Sequence, residues 1–167
     1  MRALFLPFCL LSIILSTNVT AQAQSMGESG MPIPRFISIS ASEAFMRTGP
    51  GRQYPILWVY KRTFLPLKVV DEYGAWRQVV DHEGTRGWMH VSLLSNKRTV
   101  ITIGGNQTLR SEASLSANVY ARMEEGVIST LEKCEENWCQ ITHKDPAVTG
   151  WLPRAALFGV FENEVFN

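Results

Sequence analysis

The histidines His82, His90 and His143 are the side chains of this sequence best suited to proton transfer near neutral pH. His82 lies between Asp81 and Glu83 in a predicted turn, where acidic residues and histidine are usually only solvated. The sequence contains neither a His-Glu-x-x-His nor a Gly-x-Ser-x-Gly motif. We therefore predict no catalytic residues, no metal site and no cofactor, and we expect that the protein is not an enzyme.

Cys134 and Cys139 are a second possible source of chemistry, since a free thiolate beside His143 would be a nucleophile. Four residues separate them, whereas redox-active pairs usually have two between them. The spacing suits two strands joined by a tight turn at Glu135–Asn137, which brings the sulfurs within bonding range. An even pair in an exported protein favours a structural disulfide, with two reduced thiols as the alternative.

Basic and aromatic residues gather in the first half of the chain and form our candidate ligand-binding patch. Trp58 and Tyr60 alternate, so both are expected on one face of a strand. The patch suits an acidic peptide, a glycan or a teichoic-type polyanion; the alternative is packing between modules with solvated charge. Its members are Arg52, Tyr54, Trp58, Tyr60, Lys61, Arg62 and Tyr73.

Net charge differs between the two halves of the chain. Residues 35–98 contain ten basic and five acidic residues, whereas residues 99–167 contain five basic and nine acidic ones. The first half is therefore suited to an anionic partner, or the halves attract each other. The basic patch is modest and the protein carries an export signal, so no nucleic-acid partner is predicted.

A repeat organises the strands that must position these residues. Gly87-Trp88 returns as Gly150-Trp151, and the same offset of 63 residues carries Arg47 onto Arg110. Short alternating segments with glycine and proline between them predict a small all-β barrel, twice. We predict that Trp76, Trp88, Trp138 and Trp151 form the structural core, although Trp76 and Trp138 follow turns and could be half exposed. Arg47 and Arg110 are expected to brace loops through carbonyl oxygens.

The amino terminus is predicted to be a secretory signal peptide, residues 1–23, with an apolar run at 3–15 and the cleavage pattern Ala21-Gln22-Ala23. The run is too short to span a membrane, and it contains Cys9. We predict a linker at residues 24–35, modules at 36–98 and 99–161, and a tail at 162–167.

The segment Met46-Arg47-Thr48-Gly49-Pro50-Gly51, followed by Trp76 and Gly87-Trp88, resembles the bacterial SH3-like domain family. The second copy keeps Arg110, Trp138 and Gly150-Trp151 but lacks the Gly-Pro-Gly loop. The two-copy layout is similar to exported proteins of alphaproteobacteria. The resemblance implies two tandem SH3-like barrels in the cell envelope, no assigned enzymatic activity, and relatives of which some bind peptidoglycan.

We therefore expect a periplasmic or secreted, non-catalytic binding protein whose partner is peptidoglycan or an envelope protein. The alternative is a small cell-wall hydrolase or an accessory protein that regulates one.

Overall fold

The computed structural model describes residues 25–167, so the predicted signal peptide at residues 1–23 lies outside the described residues. Nearly all regular structure in this part of the chain is β-strand, with two short 3₁₀ turns at Val91–Leu93 and Arg154–Ala156. No helix within residues 25–167 is long and apolar enough to cross a membrane. The all-β prediction is confirmed.

Module 1 is a strongly rolled antiparallel sheet of seven strands. Their order across the sheet is β5-β4-β8-β7-β6-β3-β9, which leaves β5 at one edge. The strands are β3 (Arg35–Ile39), β4 (Ala44–Arg47), β5 (Ile56–Tyr60), β6 (Pro66–Tyr73), β7 (Trp76–Val80), β8 (Arg86–His90) and β9 (Leu94–Ser95).

Module 2 repeats this sheet strand for strand, in the order β12-β11-β15-β14-β13-β10-β16. The register repeats as well, because Arg47 pairs with Trp88 in module 1 and Arg110 pairs with Trp151 in module 2. The two-copy prediction is therefore confirmed. The strands are β10 (Thr99–Thr102), β11 (Gln107–Arg110), β12 (Val119–Met123), β13 (Ile128–Glu135), β14 (Trp138–Lys144), β15 (Ala147–Pro153) and β16 (Leu157–Phe158).

The glycines before the repeated tryptophans explain why the tryptophans face away from the core. A Cβ on Gly87 would meet the Met46 side chain and lie 2.8 Å from the Arg47 carbonyl oxygen, and one on Gly150 would lie 2.7 Å from that of Arg110. Strand neighbours alternate between faces, so the residue after each glycine points outward. The inward position thus requires glycine because the facing strand crosses very closely.

The prediction that four tryptophans form the core is wrong. Trp76, Trp88, Trp138 and Trp151 are only half-buried, and none belongs to either cluster of buried core residues. The cores consist instead of aliphatic and methionine side chains on the opposite strand faces. The fully buried side chains among them include Ile39, Met46, Leu67, Val79, Met89, Leu109, Ile141 and Leu152.

The segment predicted as a linker is a small hairpin wherever the structure describes it. Its strands β1 (Ser25–Met26) and β2 (Pro32–Ile33) pair antiparallel and lead directly into β3. Ser29 and Arg35 attach the hairpin to module 1 by hydrogen bonds to the buried Glu72 carboxylate, with Arg35 Nη2 2.6 Å from Glu72 Oε1. Proline and glycine here shape a turn rather than a free tether.

The two modules pack together through a shared apolar layer. Ile101 of β10 belongs to the module 1 core cluster, and the Phe36 ring lies 5.3 Å from that of Phe158 and 4.6 Å from that of Phe161. Thr99 Oγ1 also donates to the Phe64 carbonyl oxygen at 2.7 Å. Both faces of β3 and β10 are therefore buried, one against its own barrel and the other against the neighbouring module.

Candidate ligand-binding surface

The edge strand β5 carries the largest continuous run of exposed apolar side chains in module 1. Trp58 is 56% exposed, and its neighbours Ile56, Leu57 and Val59 are each at least 40% exposed. Apolar residues of this size rarely stay in water in a row on a monomeric protein. An edge strand also presents backbone N–H and C=O groups to pairing with another chain.

Module 2 lacks most of this feature at the equivalent strand, which makes β5 specific to module 1. Phe45 pairs with Val59, and Thr108 pairs in the same register with Arg122; Trp58 likewise corresponds to Ala121. The strand β12 thus carries a charge and a small residue where β5 carries apolar ones, a usual protection of sheet edges.

The loop before β5 is braced as predicted. Arg47 Nη1 donates to the carbonyl oxygens of Arg52 at 3.1 Å and Tyr54 at 2.7 Å, and Arg110 donates to the equivalent loop at Ala117. The prediction that both arginines are structural is confirmed. Arg52 and Tyr54 are held exposed next to the start of β5. We call Arg52, Tyr54 and Ile56–Val59 together the β5 surface.

Tyr60 does not belong to this surface, so its assignment to the exposed patch is corrected. Its side chain is buried and its hydroxyl donates to Asp81 Oδ2 at 2.8 Å. Burial, followed by the hydrogen bond to the Asp81 carboxylate, raises the pKa of Tyr60 above its usual range. Tyr60 pairs with the small Ala44 at the closed end of the barrel, whereas Trp58 lies farther along the open edge.

Tyr73 is exposed but distant from the β5 surface in the sheet. It ends β6 at the turn to β7, and the strands β4, β8 and β7 lie between β5 and β6. The sheet therefore brings Arg52, Tyr54 and Trp58 together and leaves Tyr73 apart.

Lys61 and Arg62 follow β5 and line a groove of about 670 Å³ between the modules. Arg62 Nη2 donates to the Gly126 carbonyl oxygen of module 2 at 2.7 Å, so it joins the modules at the groove wall. Lys61 is exposed, and its only ion pair in the described part of the chain is a 4.0 Å contact with Glu43. Such exposed pairs contribute little, so Lys61 keeps its charge available.

The sequence analysis missed Phe64, Lys97 and Lys144, which line the same groove. Lys144 is 83 positions beyond Lys61 in the chain, so no local pattern connects them. A signal for Phe64 did exist, because it occupies the place that glycine takes in the second copy. Phe64 N donates to the Ile39 carbonyl oxygen, and Gly126 N donates to that of Thr102, 63 positions after Ile39.

The histidines and acids considered for catalysis are engaged in local structure. Asp81 accepts hydrogen bonds from the backbone of Glu83 and Thr85 and closes its turn, while His90 Nδ1 caps the 3₁₀ turn through Ser92. Both ring nitrogens of His143 lie within 3.1 Å of carbonyl oxygens. No group of three or more His, Cys, Asp or Glu residues suited to a metal ion occurs in residues 25–167.

Cys134 and Cys139 form a disulfide, as predicted, and link the facing ends of β13 and β14. Their Cα atoms are 4.1 Å apart, close to the separation of directly opposed residues in a narrow antiparallel pair. The predicted turn is shorter by one residue, since Glu135 already pairs with Trp138.

Comparison with known families identifies the repeated module. A family model described as bacterial SH3 domain matches residues 40–96 and again residues 104–159. The chain belongs to the bacterial SH3 domain family. Domains of this family are binding modules that often contact cell-wall material. The two matched segments cover most of both sheets, so the family assignment applies to module 1 and to module 2.

Other comparisons add little to this assignment. No curated protein matches the chain. Among solved structures, one described as NlpC2 from Trichomonas vaginalis aligns with 9% sequence identity and a TM-score of 0.36. The alignment covers 78% of this chain and 50% of that one, so this chain spans half the length of the matched protein.

Proposed function

We propose that this bacterial SH3 protein is a non-catalytic, exported binding protein whose β5 surface contacts a partner in the cell envelope, either peptidoglycan or an envelope protein. The periplasm, or release from the cell, is its proposed location. The carrying observation is the exposed apolar run of β5, with Arg52 before it and Lys61 and Arg62 after it. A binding module with one unprotected edge has a natural contact site there.

Two features support export. Residues 1–23 have the pattern of a signal peptide, and the Cys134–Cys139 disulfide is the kind of bond that persists in oxidising compartments. Support for a non-catalytic role comes from the engaged side chains: Asp81 closes a turn, His90 caps one, and both thiols are consumed.

Co-sedimentation with purified peptidoglycan sacculi, together with capture from envelope extracts, tests the proposal. The wild-type protein should bind a partner in at least one assay, and Trp58→Ala should weaken that binding about tenfold or more, as expected for a central aromatic contact. Tyr120→Ala is the matched control, because Tyr120 is equally exposed on β12 of module 2.

Two results would contradict the proposal. The first is a mature protein that stays wholly soluble with sacculi while Trp58→Ala and the Arg52→Ala, Tyr54→Ala double variant change no captured partner. The second is release of soluble muropeptides from sacculi by the wild-type protein, since that would show a hydrolase instead of a non-catalytic binder.

A further inference from the structure

The inter-module groove is strongly basic, although module 2 as a whole is acidic. Four of its lining residues are cationic and one, Glu125, is acidic. Neither Arg62, Lys97 nor Lys144 forms an ion pair with a carboxylate among residues 25–167. The cations are Lys61, Arg62, Lys97 and Lys144. Uncompensated charges of one sign in a concave site attract a ligand of the opposite sign.

Phe64 gives the groove an aromatic wall at the expense of backbone strain. Its φ of 64° lies in the left-handed region, where module 2 has Gly126 at 80°. A non-glycine residue in this conformation costs roughly 1–2 kcal/mol, and such strain is concentrated at functional sites. The ring is 39% exposed, and Lys97 Nζ lies 4.4 Å from its centroid. Glycine would suit the backbone better, so the retained side chain indicates a contact role.

The β5 surface and the groove are continuous. Tyr60 ends β5, and the next two residues, Lys61 and Arg62, are in the groove wall. In the described part of the chain β5 pairs only with β4, so its outer edge is free along five residues, a span of about 16 Å. A chain that extends this edge therefore arrives at the groove.

We propose that the ligand is an extended acidic polypeptide segment that contacts both modules. Its backbone pairs with the free edge of β5 as an added strand, and its apolar side chains cover Leu57, Trp58 and Val59. Its carboxylates lie in the inter-module groove beside Phe64, Lys97 and Lys144. This inference rests on the proposed function and narrows the partner from an envelope component to a peptide.

Fluorescence anisotropy with a short labelled peptide tests the inference. In the probe, alternating valine and threonine precede a run of glutamates; in the control peptide, the glutamates are glutamines. The full mature protein should bind the probe at least threefold to tenfold more tightly than the control, and higher salt should reduce that difference. Lys144→Gln should weaken probe binding by a similar factor although Lys144 lies in module 2.

Phe64→Gly separates a contact role from a structural one. It substitutes the residue that module 2 has at this place and removes the strain, so the folded state should be retained while probe binding weakens. Lys133→Gln is the control for charge, because Lys133 is a module 2 cation over the Trp151 ring, outside the groove lining.

Unchanged probe affinity in both Phe64→Gly and Lys144→Gln would overturn the inference, and so would equal binding of polyphosphate and the glutamate probe. If the probe fails while Trp58→Ala still abolishes capture of an envelope partner, the peptide inference is wrong and the proposed function stands. If sacculi and extracts also show no binding that depends on Trp58, both fail.

Discussion

At the scale of single residues, Trp58 and Tyr60 show how two positions on one strand face acquire different roles. Tyr60 pairs with Ala44, is buried and donates its hydroxyl to Asp81. Trp58 pairs with Met46 but remains more than half exposed at the open edge. Strand alternation predicts the shared face correctly, but the closure of the barrel decides which of the two is covered.

Replacing Tyr60 by phenylalanine is expected to destabilise the fold without changing the β5 surface. The buried Asp81 carboxylate would lose one of its donors, at a cost of about 1–3 kcal/mol. Urea unfolding followed by tryptophan fluorescence measures the change. Tyr73→Phe is the control, since Tyr73 is exposed. Equal stability of the two variants would show that the Tyr60 hydrogen bond contributes nothing.

The repeated Gly-Trp pairs were recognised correctly as a feature of the fold, but the wrong residue of each pair was placed inside. A large apolar residue usually predicts burial, whereas the close approach of β4 to β8 leaves room at Gly87 only for a hydrogen atom. That distance between strands cannot be obtained from composition or spacing. The bracing by Arg47 was predictable because an arginine repeated at a loop has few other uses.

At the scale of elements, the hairpin of β1 and β2 depends on one buried carboxylate. Glu72 accepts from Ser29 N at 2.7 Å and from Arg35, and Arg77 Nε lies 3.1 Å from it. Burial alone would raise the pKa of Glu72, but the hydrogen bonds from Ser29 and Arg35 outweigh it and lower the pKa below its usual value. The strength of this attachment is therefore pH-dependent.

The stability contributed by Glu72 should be fully present above the pKa of an unfolded glutamate, near 4.3, and lost as pH falls through the lower folded value. Glu72→Gln should lower the free energy of unfolding by about 3 kcal/mol at neutral pH and flatten its decrease on acidification. Unfolding measured between neutral and strongly acidic pH tests this. Glu43→Gln, at an exposed 4.0 Å pair, is the control. A pH profile unchanged by Glu72→Gln would contradict the assignment.

The strands themselves were largely predictable, because alternation and the offset of 63 residues place equivalent strands in both modules. The hairpin before β3 was not, since Pro32, Pro34 and two glycines in a polar segment are typical of linkers as well as turns. Its attachment needs Glu72, which is more than 40 residues away in the chain. Only the folded sheet brings these parts together.

At the scale of the whole molecule, the C-terminal tail fastens the two modules. Arg98 forms an ion pair with Glu164 at 2.6 Å, and Arg154 Nη1 donates to the carbonyl oxygens of Phe161 and Glu164. Burial opposes ionisation of Glu164, but the hydrogen bond from Arg98 outweighs it and lowers the pKa of this carboxyl. Its contribution to stability is likewise lost on acidification.

Phe36→Ala should destabilise module 2 as well as module 1, since Phe36 packs against Phe158 and Phe161. We expect a loss of about 3 kcal/mol, with one calorimetric transition retained. Faster reduction of the Cys134–Cys139 disulfide under native conditions would report the effect on module 2. Tyr73→Ala, on an exposed turn, should leave that rate unchanged. Two separate transitions in the wild-type protein would show that the modules unfold independently.

The opposite charges of the two halves predicted that the modules could attract each other, but not that Lys144 would help to form a basic groove. Net charge describes a module as a whole, whereas the groove is made by the few residues that the interface places together. The candidate patch therefore contained part of the site, Lys61 and Arg62, and lacked the part contributed by module 2.

The presence of Ile101 in the module 1 core has a consequence for the order of events during biosynthesis. The chain grows from its amino terminus, yet this residue follows the last strand of module 1, and Phe158, which packs against the same core, comes far later. Module 1 therefore cannot complete its packing while it is the only part synthesised. Its final folding step must wait for nearly the whole chain, and the pair of modules matures as one unit.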